Sequence, residues 1–201
     1  MLTMQQAKQE LKIAVQNNPG LWEQHSLVAA ENARLIAEKI PGMDPEKAYI
    51  AGLLHDIGRR EGVTGMLHVI DGYNYMMQLG EPDLAVICLT HSFASKNIEH
   101  FEGKHDCTAE QKAFIKAFIE SRIYDDYDKL IQLCDALSLP EGACIIEKRL
   151  VDVALRHGIQ DYTPTRWRAY LNLKKYFDTL CGCDIYTLLP GVFENSMTNL
   201  I

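Results

Sequence analysis

Apolar positions recur every three to four residues along most of the chain, the period of an amphipathic helix. No stretch alternates with the period of two that marks a half-buried strand. Thr3-x-x-Gln6 is a capping box that opens a helix with Met4, Ala7, Leu11 and Ala14 or Val15 on one face; Asn18-Pro19-Gly20 breaks it. A second helix is predicted over 21–40, stopped by Pro41-Gly42. Asp44-Pro45-Glu46 supplies a cap, a proline at the first helical position and an acid in the first turn, and so starts a third helix that ends near Gly58. A fourth is predicted over 66–79 with Gly80 past its end, and a fifth from Pro82-Asp83 to His91. Residues 92–107 read as a long loop, a length that in compact domains often serves function. Thr108-x-x-Gln111 opens a long helix to about Leu139, with a break expected near 124–128. Pro140-Glu141 starts another that ends at His157-Gly158. Thr163-Pro164 precedes the last, with Trp167, Tyr170, Leu171, Lys174 and Phe177 at helical spacing, and a short mixed tail follows Gly182. The expectation is one all-α domain over 1–201: a helical bundle with its core at about 21–140 and the C-terminal helices of 141–181 packed on it.

Composition narrows the class. The 201 residues are 47% hydrophobic and 23% charged, ordinary for a globular protein. Folding at this size removes about 70% of the unfolded chain's surface from water, so no disulfide staples are needed. The apolar runs Tyr49–Leu54 and Leu84–Leu89 hold six residues each, against the roughly 20 of a membrane helix. The polar N-terminal segment carries no secretory pattern, and a cytoplasmic protein with reduced thiols is expected. Of the six cysteines, Cys88, Cys107, Cys134 and Cys144 read as small hydrophobes, and Cys181-Gly-Cys183 as a helix end with two thiols. The net charge of −7 argues against a nucleic-acid polymer as partner but leaves room for a small phosphorylated ligand held through a metal.

Polar residues then intrude where core is expected. Tyr49–Leu54 is apolar on every side and runs straight into His55-Asp56; Leu84–Leu89 runs into Thr90-His91; Asp135 ends the apolar segment that begins at Leu130. His25 shares a stripe with Leu21, Val28 and Ala29, and His68 opens the fourth helix one turn before Gly72. Charges in such places must be paired, because a lone buried charge costs several kcal/mol or shifts its pKa. Singly, His25 reads as a core histidine and His55-Asp56 as a hydrogen-bonded pair. Together, imidazoles and carboxylates are the ligand set of Zn, Mn, Fe or Ni. Neighbours on a helix point ~100° apart, so His55 and Asp56 both reach an ion only at a helix end, which Gly58 is expected to supply.

The ordered set His25, His55-Asp56, Asp135 on helices resembles the HD-domain metal-dependent phosphohydrolase superfamily, and Leu53-Leu-His-Asp-Ile-Gly58 resembles the common form of its central motif. The resemblance covers about 21–140. His68 and His91 resemble two further histidines of the members with an extended site, among them enzymes that hydrolyse nucleotides and dinucleoside polyphosphates. The resemblance implies a helical bundle in which His25, His55, Asp56 and Asp135 hold one divalent ion (Fe, Mn, Zn, Ni, Co or Mg). Asp56, in members with two ions, bridges both. His68 and His91 then either bind the second ion or face substrate phosphates, which makes Asp56, His68 and His91 the expected catalytic residues. The implied activity is attack of metal-bound water on a small phosphorylated molecule, a nucleotide or dinucleotide.

A phosphate also needs cations. Arg59 and Arg60 follow the motif and Lys129 precedes Asp135; Arg59 and Lys129 are the expected substrate contacts. Many relatives carry an arginine three residues before the first histidine, whereas Trp22 stands here, an aromatic suited to stacking on a base or sugar. Lys96 and Lys104 make the 92–107 loop a candidate lid. His100 and His105 read as solvated and His157 as a cation at a helix C-terminus. Two other readings of the same residues are a ligand-sensing module with little turnover and a di-iron oxygenase. A homo-oligomer is compatible with all three.

Overall fold

The computed structural model describes residues 2–198. Ten α-helices occur among them: α1 (Met4–Asn17), α2 (Trp22–Ala37), α3 (Pro45–Leu54), α4 (Leu67–Gln78), α5 (Pro82–Thr90), α6 (Ala109–Ser121), α7 (Asp126–Ala136), α8 (Ile146–His157), α9 (Thr163–Cys181) and α10 (Val192–Met197). The fold is all-α apart from one small hairpin. The local signals act as predicted. Thr3 and Gln6 form a reciprocal capping box at α1, Thr108 and Gln111 another at α6, and the Asp44 carboxylate accepts the Glu46 and Lys47 amides at α3. None of the helices is long and apolar enough to cross a membrane, among the described residues.

Helix α2 lies against α3, α7 and the hairpin, α4 against α5, and α8 and α9 against α7. Leu53, Leu54, Ile36, Leu130 and Leu133 are wholly or almost wholly buried at the centre, together with the α9 side chain Phe177. Cys88, Cys107, Cys134 and Cys144 are buried within this packing, and all six cysteines are free thiols.

The helix after Thr108 breaks close to the expected place, as Arg122 leaves α6 extended and Asp125 caps α7. The structure corrects three local expectations. Pro140-Glu141 does not start a helix; it turns an antiparallel hairpin, β1 (Ser138–Leu139) with β2 (Gly142–Ala143), pairing Ser138 with Ala143 and Leu139 with Gly142. Proline disfavours helical geometry at the residue before it, and Gly142 has φ +146°, open to glycine alone. Gly58 does not end α3. The helix stops at Leu54, and Gly58 lies in a following 3₁₀ turn, Ile57–Glu61. A Cβ there would stand 2.0 Å from the His68 carbonyl oxygen and 2.5 Å from the Gly72 nitrogen. Only glycine lets α4 come this close, and that approach brings His68 to Asp56.

The 92–107 segment is a fixed wall rather than a lid. Its Phe93, Ile98, Phe101 and Cys107 form a second core with Met66, Val69, Leu89, Ile115 and Ile119. The Asp106 carboxylate accepts the Gly65 and Leu67 amides at 2.7 and 2.9 Å, and Met66 N–H donates to Lys104 O at 2.8 Å. His100 stacks on Tyr162 at 4.9 Å between ring centroids, and Lys96 donates to the Arg122 carbonyl. A segment that buries four apolar side chains would expose them on opening.

Candidate metal centre

Four histidines reach the centre from four helices, and each is oriented by a backbone carbonyl. Nδ1 of His55, just past α3, is 2.7 Å from Gly52 O; that of His68, in the first turn of α4, is 2.5 Å from Gly65 O; that of His91, just past α5, is 2.9 Å from Cys88 O. All three use the carbonyl three residues back, so the chain's own turn sets the ring. His25, on α2, instead has Nδ1 3.1 Å from Ser138 O of the hairpin. A carbonyl only accepts, so each Nδ1 carries the proton and each Nε2 keeps its lone pair.

Those lone pairs converge. His25 Nε2 is 3.3 Å from His55 Nε2 and 3.0 Å from Asp135 Oδ1. His68 Nε2 is 3.2 Å from His91 Nε2 and 3.2 Å from Asp56 Oδ1, and His91 Nε2 is 3.5 Å from that same oxygen. Asp56 Oδ1 is buried and has no hydrogen-bond partner among the described residues. Asp56 Oδ2 lies 3.9 Å from His55 Nε2 and accepts from Arg59 Nε at 2.6 Å. Asp56 therefore stands between two halves, His25–His55–Asp135 and His68–His91.

Electrostatics keep the donors in ligating form. Burial pushes the His55 imidazole down to about 4, against the pull of Asp56 and Asp135. Burial, with Arg59 nearby, lowers His68 as well. Burial would raise Asp56, but Arg59, His55 and His68 outweigh it and hold the carboxyl well below the usual range; His25 and its neighbours do the same for Asp135. At neutral pH His55 and His68 are thus neutral imidazoles, and Asp56 and Asp135 ionised carboxylates.

Acceptors facing acceptors at such distances repel unless a cation lies among them. Ligands about 2.0–2.2 Å from a metal stand roughly 3.0–3.5 Å from one another, the separations seen here. The residues fit a divalent ion, and two groups of three, His25–His55–Asp135 and His55–Asp56–His91, are each compact enough to hold one.

The centre opens into a cavity of about 750 Å³ whose lining includes His25, Asp56, His68, His91 and Asp135. Arg59 lines it too. Lys129 does not: its ammonium pairs with Asp126 at 3.2 Å and lies 4.5 Å from the centroid of the Tyr176 ring, because six residues of α7 carry it about 9 Å along the axis from Asp135. Arg60 also turns away, with its guanidinium 3.7 Å from the centroid of the Tyr75 ring. Trp22 lines the cavity and donates from Nε1 to Asn18 O at 2.9 Å. His157, exposed at the end of α8, reaches the cavity rim, and His105 bonds Phe101 O at 3.2 Å.

Other parts of the site have no sequence signal. Ser138, which orients His25, sits in a hairpin the pattern reads as helix. Buried Asp128 accepts from Thr90 Oγ1 at 2.9 Å, and Gln132 Nε2 donates to Thr90 O at 3.1 Å, so α7 fixes the residue before His91. Arg149, Glu102 and Arg166 line the cavity, and Tyr170 is buried there as well.

No curated protein and no solved structure matched the chain. The HD domain family model matches residues 22–139, more than half of the sequence and the whole span from the start of α2 to the hairpin, with every one of the six converging side chains inside it. The HD domain is a divalent-metal-binding, all-α domain of the metal-dependent phosphohydrolase superfamily, in agreement with the helices and the donor set found here. The chain belongs to the HD domain family.

Proposed function

We propose that the protein is a divalent-metal-dependent phosphohydrolase acting on a small phosphorylated molecule, a nucleotide being the best match to its cavity. The observation that carries this reading is the pair of facing Nε2 contacts, His25–His55 at 3.3 Å and His68–His91 at 3.2 Å, with the orphaned Asp56 Oδ1 between the halves. His25, His55, Asp56 and Asp135 would hold one ion, and His68 and His91 with Asp56 a second. A bound ion lowers the pKa of a coordinated water and takes up charge from a phosphoryl oxygen. The chain's own groups do the rest. The four carbonyl-held imidazoles fix the donors before anything binds, so no reorganisation is needed at reaction. Arg59, beside Asp56 on the cavity wall, would donate to a phosphate oxygen. Leu21, Trp22, Val63, Leu139 and Pro140 give the cavity an apolar side, suited to a base or sugar face. The test is turnover of a panel of nucleotides and simple phosphoesters with Mn, Co or Ni, beside elemental analysis of protein purified without added metal. Two bound irons, dioxygen consumption and no phosphoester turned over would replace this reading with an oxygenase.

A further inference from the structure

The cavity holds cations that the metal centre does not use, and they come from α8 and α9, outside residues 22–139. On α8, Arg149, Asp152, Val153, Arg156 and His157 all line the cavity, the stripe of one helical face. Arg149 Nη1 and Arg156 Nη2 share one carboxylate, Asp152 Oδ2, at 3.4 and 3.0 Å. On α9, Arg166 and Tyr170 stand one turn apart and line the same cavity. The Arg166 side chain is only 14% exposed and donates through Nη1 to Glu102, 3% exposed, on the loop wall. A carboxylate usually meets a guanidinium with both oxygens. Here Glu102 Oε1 is buried with no partner among the described residues. The pair is left one-sided beside an open cavity.

This cluster lies near the metal centre. Asp135, Arg149, Arg166 and the buried Tyr170 line the same cavity, and the Arg166 guanidinium lies 5.1 Å from the centroid of the Tyr170 ring. Five basic and five acidic side chains line the cavity, so its formal charge is zero in a chain of −7 and becomes positive once an ion enters. A cavity of that sign draws in anions. Its volume also exceeds what one phosphate fills, being that of a drug-sized ligand.

We propose that Arg149 and Arg166, with the Tyr170 hydroxyl, form a subsite for a second phosphate, so that the substrate carries two linked phosphates, one at the His/Asp cluster and one held by α8 and α9. The subsite rests on the phosphohydrolase reading only for which bond breaks. In that reaction the water oxygen bonds to the phosphorus at the cluster, and the P–O bond to the second phosphate breaks. Its electron pair stays on the departing phosphate, and the water proton goes to solvent. Arg149 and Arg166 receive the charge that the leaving phosphate gains. Glu102 is the positioning residue that holds Arg166.

The experiment measures binding apart from turnover. Protein loaded with manganese and freed of excess ion is titrated by calorimetry with methylenediphosphonate, which has two linked phosphonates and resists hydrolysis, and with methylphosphonate, which has one. Wild type binds the bisphosphonate at least about tenfold tighter, the worth of a charge-assisted hydrogen bond. Arg149→Gln removes about tenfold from that affinity and leaves the monophosphonate within about twofold. The double variant Arg166→Gln/Glu102→Gln, which leaves no buried charge unpaired, does the same. Equal losses on both ligands, or none on either, overturn the subsite. Selective loss with no phosphoester hydrolysed by wild type keeps the subsite and removes the hydrolase reading. Polyphosphate turnover unaffected by either variant does the reverse.

Discussion

His25 Nε2 and His55 Nε2 face each other at 3.3 Å while each ring's Nδ1 is committed to a carbonyl, Ser138 O for one and Gly52 O for the other. Neither nitrogen has a proton to offer the other. Such a contact suits a cation shared among these nitrogens and Asp135, and His68 with His91 repeats the arrangement beside Asp56.

Asp56→Ala is expected to remove metal and activity together, because it deletes the carboxylate that stands between both halves. Elemental analysis of the purified variant checks this; full metal occupancy would refute the assignment. His68→Ala and His91→Ala are each expected to leave about half the wild-type metal, with loss of the ion on their side alone.

Arg59→Ala is expected to raise KM by about tenfold, a loss that shrinks as salt rises because screening already weakens what the arginine supplies. It also strips Asp56 of its only cationic partner among the described residues, so the metal-free variant loses stability, by about 2–3 kcal/mol, and added Mn restores most of it. Lys129→Ala, whose ammonium stays with Asp126, leaves KM unchanged. Steady-state kinetics at two ionic strengths and thermal melts with and without metal decide both.

Gly58→Ala is expected to destabilise by about 3 kcal/mol or more, since its Cβ would lie 2.0 Å from the His68 carbonyl oxygen. Denaturant titration measures the loss. Any protein that still folds should also lose the ion at His68 and His91, because α4 must back away from the 3₁₀ turn.

Metal-free protein is expected to lose stability as pH falls from about 6.5 to about 4. His55 has its folded pKa lowered to about 4 by burial, so in that window the unfolded chain binds a proton that the folded chain refuses, and stability declines with falling pH. The shift corresponds to at most about 3 kcal/mol. Asp56 and Asp135, held low by their partners, add losses of the same sign below the usual carboxylate range. A melting temperature flat from pH 7 to 4.5 in chelated protein would contradict this.

The sequence by itself marked most of the helices and the candidate metal set. Period and caps are local, so Thr3, Asp44 and Thr108 start helices where they stand in the chain. His55, Asp56, His91 and Asp135 were legible because a polar residue ending an apolar run has to be satisfied by something. Three of the four histidines even find their orienting carbonyl three residues back. Tertiary structure decided everything that depends on separate segments meeting. Pro140 reads as a helix start until the hairpin is paired, and with it goes Ser138's hold on His25. Lys129 and Arg59 look alike as cations near the motif, and only packing sends one to Asp126 and the other to Asp56. The 92–107 loop is polar enough to read as a lid, yet its four apolar side chains find a core that no local pattern announces. Arg149 and Arg166 reach the cavity because α8 and α9 fold back on α7, a contact between residues far apart in sequence that spacing along the chain cannot encode.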